Sequence, residues 1–317
     1  MLAPIRASML KNHNWRTYYY GNFSPEDGGG RENARIDPAN PGNVTWRTFD
    51  HRPRFGNNYV GLRNRIAILS EAYSYLDFKG RVEVTEDFVE EIYKSVQANA
   101  KQIMTLTAQA DRVLTAPANG QPVDLGVDFQ IAALEDKVDI VVGDVTKQLN
   151  PKSGREMLVM APLAVPVPMR DYGTFVATRS LAMPKGWVIP RALVASPRLA
   201  AALDRLRWHG IQIQEVTGDS TVPVERFSIA EITKAPRPFQ GHQEARLKGT
   251  FDKIQLTVEA GSPFIPANQP LARLAFYLIE PESDDGLVTW NLIDEGLETG
   301  LTYPIYRAID SKAIKTR

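Results

Sequence analysis

The stretch that decides the fold, residues 65–114, reads RIAILSEAYSYLDFKGRVEVTEDFVEEIYKSVQANAKQIMTLTAQADRVL. Its first five residues, 65–69, form a short and mostly apolar run, which predicts a buried strand of a mixed or parallel sheet. Thr85 is expected to cap a long helix, because apolar residues recur every three or four positions from Phe88 to Leu114. A strand followed by an amphipathic helix indicates an α/β arrangement in which the helix lays one apolar stripe on the sheet.

The composition changes after this helix, where residues 116–122 contain the proline, asparagine and glycine of a linker. Downstream, short runs rich in β-branched and aromatic residues alternate with turn residues, and one helix is predicted from Ser196 to Trp208. The predicted strands are Val138 to Val142, Met157 to Val165, Thr174 to Thr178, Ile211 to Val216, Arg226 to Ile232, Ile254 to Val258 and Leu271 to Ile279. The fold class is therefore α/β plus mainly β, with an α/β domain in residues 1–118 and a β-rich, sandwich-like domain in residues 119–317.

The first forty-five residues lack a periodic apolar pattern and contain many chain-breaking residues, so we expect an extended, loop-rich segment there. Its glycine triplet, Gly28 to Gly30, is not followed by the Gly-Lys-Ser/Thr sequence and helix of a phosphate-binding loop. A flexible loop is therefore the expected structure at the triplet.

The composition argues against several classes of protein. The chain has 317 residues, 37 Lys and Arg against 37 Asp and Glu, and no Cys. A net charge of zero argues against a nucleic acid or an anionic membrane as the main partner, because binding to either needs a surplus of positive charge. Without Cys, disulfides, thiolate zinc sites and cysteine nucleophiles are excluded within these residues. The longest apolar run, Leu158 to Met169, is too short to span a membrane, and the N-terminus does not have the pattern of a secretory signal.

Without Cys, a metal site within these residues would have to use His, Asp and Glu, and the four histidines are His13, His51, His209 and His242. None stands in a His-x-x-Glu or His-x-x-x-His pattern, the spacings that align two ligands on one element. We therefore expect surface or structurally bonded histidines and no self-contained zinc site.

The densest polar segment, residues 46–75, contains five arginines interleaved with aromatic residues: Arg47, Arg52, Arg54, Arg63 and Arg65. Three interpretations stay open at this point. The arginines could form a pocket for an anionic group, because Arg binds carboxylates in a bidentate manner. They could stack on single-stranded nucleic acid, or they could pair with acids elsewhere and tie a long loop to the domain.

One part of this segment resembles a known family. Residues 59–75 read YVGLRNRIAILSEAYSY and are preceded by WRTFDHRPRF at 46–55. This run resembles the last part of the catalytic domain in bacterial members of the zinc carboxypeptidase family, the family of carboxypeptidases A and B. The segments at 241–244 (GHQE), 269–271 (QPL), 280–287 (EPESDDGL) and 290–291 (WN) resemble the extra C-terminal region of the same proteins.

The resemblance implies a mixed-sheet catalytic domain and roles for four residues. Glu71 matches the glutamate that serves as general base: it takes a proton from the water activated by zinc and later gives it to the leaving amine. Arg63 and Arg65 match the arginines that hold the terminal carboxylate of the substrate or stabilise the oxyanion, and Tyr59 matches a tyrosine that lies over the substrate. Peptides or peptide-like amides are the implied substrates.

The resemblance departs from the family at the metal site. The family's zinc ligands, a His-x-x-Glu pair and a later His, lie upstream of the glutamate, and residues 1–70 contain no His-x-x-Glu. We therefore expect the C-terminal part of a longer metallocarboxypeptidase, with zinc in the full-length parent and none bound by this chain. A natural, metal-free relative is the other interpretation. A full-length parent that carries a signal peptide is expected to be periplasmic or secreted.

Two functions follow from the sequence. The first is hydrolysis of C-terminal amide bonds by the full-length parent, with this chain inactive alone. The alternative is a non-catalytic binding protein built on a degenerate carboxypeptidase scaffold. The acidic turn from Glu280 to Gly286 is expected to be a solvated turn, with a calcium site or an interdomain contact as the alternatives.

Overall fold

The structure of this chain is a computed structural model that describes residues 1–25, 36, 43–113, 123–293 and 296–317. The chain divides into two compact units, each assembled from separate stretches of sequence. Unit 1 comprises residues 1–51, 68–104 and 130–176, and unit 2 comprises residues 52–67, 105–129 and 177–317. The predicted linker at 116–122, the glycine triplet and Leu114 lie outside the described residues, as does the predicted domain boundary at 118, which stays a prediction.

The described residues form both helices and strands, and most of the strand residues lie in the second half of the chain. In chain order they are α1 (Leu2–His13), β1 (Asn22–Pro25), β2 (Val44–Arg47), α2 (Gly56–Leu62), α3 (Phe78–Val113), β3 (Asp124–Ala132), β4 (Lys137–Leu149), β5 (Glu156–Tyr172), β6 (Thr174–Ala182), β7 (Gly186–Val188), α4 (Arg191–Val194), α5 (Pro197–Trp208), β8 (Gln214–Glu215), β9 (Ser220–Lys234), β10 (Ala245–Val258), β11 (Pro263–Pro266), α6 (Ala272–Ile279) and β12 (Tyr306–Ala308). The class is mixed α/β with mainly β-sheet, as the sequence predicts. None of the described helices has the length and apolar content that a bilayer span requires.

Unit 1 contains a four-stranded mixed sheet in the order β1-β2-β5-β4. β2 and β5 pair in parallel, whereas β1 with β2 and β4 with β5 pair antiparallel. Alternation along β4 and β5 places apolar side chains on one face, where Ile140, Val142, Val167 and Met169 form a buried cluster. β3 and β6 form a separate two-stranded sheet.

Unit 2 contains a six-stranded sheet in the order β10-β9-β12-β7-β11-β8, in which every adjacent pair is antiparallel. The long β9–β10 hairpin carries a bulge at Lys248 and Gly249. A Cβ atom at Gly249 would lie 2.1 Å from the carbonyl oxygen of Ser228, so only glycine allows this close approach of the two strands.

Two helices share the core of this sheet. α5 contributes the three leucines that the sequence places on one face, Leu199, Leu203 and Leu206, and all three are buried. α6 contributes Leu274, Phe276 and Ile279 to the same cluster. The sheet side chains that they meet include Trp187, Phe227, Ile229, Leu247 and Ile265. The sandwich-like arrangement is not confirmed and stays a prediction.

Several sequence predictions of local structure are confirmed. Strands are present at 138–142, 157–165, 174–178, 226–232 and 254–258, and the helix predicted from Ser196 is α5. These segments carry strong period-2 or period-3.6 patterns, which local sequence is able to specify. The long amphipathic helix is also present as α3, although it begins at Phe78 and places Thr85 inside the helix, where its hydroxyl donates to the Arg81 carbonyl.

Other predictions of local structure are wrong. Residues 65–69 form no strand; Ile66 and Leu69 are 50% and 55% exposed, because no described strand pairs with this run. The segment predicted as a strand from Leu271 to Ile279 is helix α6, since a short run that is apolar on every side does not distinguish a buried strand from a buried helix. Only Gln214–Glu215 of the strand predicted at 211–216 is present, and the N-terminal segment begins with helix α1.

Candidate functional site

Tyr59 and Arg63, two of the predicted substrate-binding residues, lie one helical turn apart at the end of α2. This spacing places them on the same side of the helix, where they meet His209, the residue that follows α5. The Tyr59 hydroxyl lies 2.8 Å from His209 Nδ1. An N–H of Arg63 donates to the Tyr59 hydroxyl at 3.1 Å and to the His209 carbonyl at 2.5 Å. The structure therefore joins both residues to a histidine that lies 150 positions after Tyr59 in the sequence.

The surroundings of His209 decide its protonation. Burial lowers the pKa of the ring, and the positive charges of Arg205 and Arg63 lower it further. The ring is therefore neutral at neutral pH. The Tyr59 hydroxyl accepts a hydrogen bond from Arg63 and is also hydrogen-bonded to Nδ1 of this ring. The cluster thus holds a neutral imidazole against a tyrosine hydroxyl and an arginine.

Arg65, the third predicted substrate-binding residue, pairs with Asp111 of α3. Its two terminal nitrogens lie 3.0 and 3.1 Å from the two carboxylate oxygens, and Asn64 donates to the same carboxylate at 3.1 Å. The hydrogen bond from Arg65 lowers the pKa of Asp111. This is the bidentate carboxylate binding for which arginine is suited, with a carboxylate of the chain itself as the ligand.

Arg52 and Arg54 also bind carboxylates of unit 2. The backbone N–H and Nε of Arg54 both donate to Asp285 at 2.8 Å, and its Nη1 pairs with Glu244, which Arg52 approaches to 3.6 Å. The guanidinium of Arg54 lies 4.6 Å from the ring centre of Trp290, a cation–π distance. Of the three interpretations of the arginine-rich segment, these contacts support the one in which arginines tie a loop to the domain.

Glu71, the predicted general base, belongs to unit 1 and lies in an irregular, exposed segment. The premise that it follows a buried strand is wrong, because residues 65–69 form no strand. Its role as a base stays a prediction. The structure thus joins Tyr59 and Arg63 directly, gives Arg65 a different partner, and leaves Glu71 in the other unit.

In the described residues, one group of side chains, His13, Asp87 and Glu90, has the geometry to hold a metal ion. It lies where the end of α1 meets α3. His13 Nδ1 lies 3.2 Å from Asp87, and His13 Nε2 lies 3.0 Å from the carboxylate of Glu91. Lys94 already pairs with Glu90 at 2.7 Å. These side chains therefore already contact one another and Lys94. His13 lies more than 70 residues before Asp87 in the sequence, so no local spacing predicted this group.

The acidic turn from Glu280 to Gly286 is not solvated: Glu280, Asp284 and Asp285 are all buried. Trp187 Nε1 donates to Glu280 Oε1 at 3.0 Å, and Arg307 Nε lies 3.2 Å from the same oxygen. Among the described residues, no donor bonds to Glu280 Oε2. Burial raises the pKa of Glu280 to about 7, although Arg307 opposes the shift. The signal for this burial in the sequence is the apolar run that immediately precedes Glu280.

Three fungal proteins resemble part of this chain. Carboxypeptidase 2 of Trichophyton tonsurans and that of Trichophyton equinum are each 27% identical to it over 118 residues, which are 37% of this chain and 22% of those proteins. Carboxypeptidase 2 of Trichophyton rubrum is 26% identical over the same length. Part of the chain is therefore similar to carboxypeptidases. It spans about a fifth of the length of these curated relatives, and no family model or solved structure matches it.

Proposed function

We propose that this chain is the C-terminal part of a peptidase of the zinc carboxypeptidase type, which removes residues from the C-terminus of peptides. The observation that carries the proposal is the similarity over 118 residues to three proteins named carboxypeptidase. The run at residues 59–75, which resembles the end of a carboxypeptidase catalytic domain, supports the same proposal.

Within this proposal, Glu71 moves the proton. Its exposed carboxylate takes a proton from the attacking water and returns it to the nitrogen of the leaving amine. Exposure leaves the carboxylate accessible to both.

The arginines have separate roles in the proposal. Arg65 is half-exposed at 52%, and exposed ion pairs of this kind contribute only about 0–1 kcal/mol, so a substrate carboxylate is able to replace Asp111 as its partner. Arg63 acts on Tyr59 through their hydrogen bond and orients its hydroxyl. Arg65 is therefore the proposed binding residue for the terminal carboxylate, and Arg63 is a positioning residue.

The described residues do not fit the catalytic zinc of such a peptidase. That ion is held by two histidines and a glutamate, with one position open for water. The group of His13, Asp87 and Glu90 contains one histidine, and both of its ring nitrogens contact carboxylates of the chain. We therefore assign the catalytic zinc of the proposed peptidase to ligands outside residues 1–317.

A non-catalytic binding protein is the second candidate. The contacts that favour it are the internal partners of Arg52, Arg54 and Arg65, which use bidentate arginine chemistry to hold the chain together. The irregular segment around Glu71 favours it as well, since a catalytic base is normally held by a rigid element.

The test is a peptidase assay on the protein translated from an in-frame start upstream of Met1, with zinc and a peptide that has a free C-terminal carboxylate. In the proposed enzyme, Glu71→Gln lowers kcat by about 100-fold or more, because the proton no longer has an acceptor. Glu83→Gln, which removes an exposed carboxylate of α3, is the matched control and leaves kcat unchanged.

Two results would contradict the proposal. Unchanged turnover in the Glu71→Gln protein removes Glu71 as the base. An upstream sequence without a His-x-x-Glu motif, together with no turnover, favours the binding protein.

A further inference from the structure

His13, the last residue of α1, lies beside a group of carboxylates on one side of α3. Asp87, Glu90 and Glu91 stand at positions i, i+3 and i+4 of that helix, a spacing that places side chains on the same face. His13 Nδ1 lies 3.2 Å from Asp87 Oδ1, and its Nε2 lies 3.0 Å from Glu91 Oε1. One imidazole and three carboxylates therefore meet where the two helices come together within unit 1.

Three of these side chains have the positions of ligands to one cation. A ring nitrogen of His13 and one carboxylate oxygen each from Asp87 and Glu90 all lie within 4.8 Å of one another. Two donor atoms bound to the same Zn²⁺ at about 2.0–2.1 Å in tetrahedral geometry lie about 3.3 Å apart. The 3.2 Å between His13 Nδ1 and Asp87 is close to that separation. The exposed carboxylate of Glu90 is able to turn toward an ion held by these two atoms and complete the ligand set.

Contacts from residues outside this ligand set orient two of the ligands. Glu91 is 4% exposed and lies against Nε2 of His13, so Nδ1 is the ring nitrogen on the Asp87 side. Trp15 Nε1 donates to Oδ2 of Asp87 at 2.7 Å, which leaves Oδ1 on the side of His13. A carboxylate behind a ligating histidine and a donor behind a ligating carboxylate are the outer contacts that hold metal ligands in position.

The charges around His13 also favour a bound cation. Three carboxylates are grouped here, and one lysine, Lys94, lies 2.7 Å from Glu90 and 3.0 Å from Glu91. Lys94 and Glu90 are both about half exposed, and ion pairs of that kind contribute little to stability. Lys94 keeps Glu91 as its partner when Glu90 turns toward an ion.

We propose that His13, Asp87 and Glu90 bind a divalent transition-metal cation such as Zn²⁺, which ties the end of α1 to α3. An imidazole with two carboxylates suits this class of ion, whereas Mg²⁺ and Ca²⁺ prefer oxygen ligands alone. The inference goes beyond the proposed function, since a site with one histidine differs from the site of the catalytic zinc. The sequence predicts no zinc bound by this chain, because the ligands come from two helices and no local spacing aligns them.

The test is calorimetric titration of the metal-free 317-residue chain with Zn²⁺ at about pH 7.5, where an ordinary imidazole is neutral. We expect one Zn²⁺ per chain, bound at micromolar concentration. His13→Asn and Glu90→Gln each remove a ligand and should lower the affinity by about 10-fold or more. The controls are His242→Asn in unit 2 and Glu83→Gln, an exposed glutamate of α3, and both should keep the wild-type affinity.

Thermal unfolding gives a second measurement of the same site. A ligand that binds only the folded chain raises the Tm as its concentration increases. Zn²⁺ should therefore raise the Tm of the wild type and leave that of Glu90→Gln unchanged. Because the Glu90 side chain is exposed, this variant keeps the test decisive even where His13→Asn, which also loses its contact with buried Glu91, does not fold.

Three results would overturn the inference. Without one-to-one binding, or with equal affinity in the wild type and in Glu90→Gln, these side chains form an ion-pair network only. An equal loss of affinity in His242→Asn places the zinc elsewhere in the chain. Weak binding of several ions per chain means an adventitious ion only. Peptidase activity is not measured in any of these titrations, so their outcome is independent of the proposed function.

Discussion

The buried carboxyl of Glu280 makes the stability of unit 2 depend on pH in an unusual direction. Its pKa lies at about 7 in the folded chain and at 4.5 in a solvated glutamate. Between these values the folded chain keeps a proton that the unfolded chain has released, so the free energy of unfolding falls as the pH rises from about 4.5 to 7. A difference of about two and a half units corresponds to about 3 kcal/mol.

Glu280→Gln removes this dependence, because the amide does not ionise. The variant also loses some stability at every pH. Its NH2 group takes the place of Oε2, which has no hydrogen-bond partner among the described residues, so this NH2 group is buried without a partner. Urea unfolding at pH 5 and pH 8 measures both effects. We expect wild-type stability to fall between the two pH values by about 2.5 kcal/mol more than that of the variant.

Glu298→Gln is the matched control, because Glu298 is an exposed glutamate of the same unit. It should reproduce the wild-type dependence on pH. An identical pH dependence in the wild type and in Glu280→Gln would refute the reasoning, and it would mean that Glu280 is ionised in the folded chain at pH 5.

Two further predictions concern the arginines of unit 2. Arg54→Met leaves the buried carboxylate of Asp285 without its ion-pair partner and should lower the free energy of unfolding in urea by about 3–5 kcal/mol. Arg65→Met removes an exposed ion pair and should lower it by at most about 1 kcal/mol, so equal losses of stability in the two variants would contradict this prediction. Arg63→Met removes a positive charge beside His209 and should raise the pKa of its ring in an NMR titration, while Arg65→Met should leave it unchanged.

The local sequence pattern was sufficient to predict a helix or strand wherever the two faces of that element differ in polarity. The three leucines of α5 recur at helical spacing and are buried together, and the alternating residues of β9 and β10 form the predicted strands. Such patterns are repeated over many residues, so each position reinforces the same assignment. The segment 65–69 shows the limit, since an apolar run becomes a strand only when another strand pairs with it.

The residues of the candidate site were likewise predictable from the sequence only in part. Sequence resemblance selected Tyr59, Arg63 and Arg65, but their partners are His209 and Asp111, which no local spacing connects to them. Ion pairs and hydrogen bonds join atoms that the folded backbone brings together. The sequence pattern of one segment does not show which distant segment will lie beside it.

The sequence by itself determined a mixed α/β chain with a β-rich second half, the amphipathic helices α3 and α5, and a resemblance of part of the chain to carboxypeptidases. Only the tertiary structure decided that residues 272–279 are helical, that the acidic turn at Glu280 is buried, and that His209 lies beside Tyr59. The physical reason is that periodicity is a property of neighbouring residues, whereas burial and the pKa values that depend on it come from residues far apart in the chain.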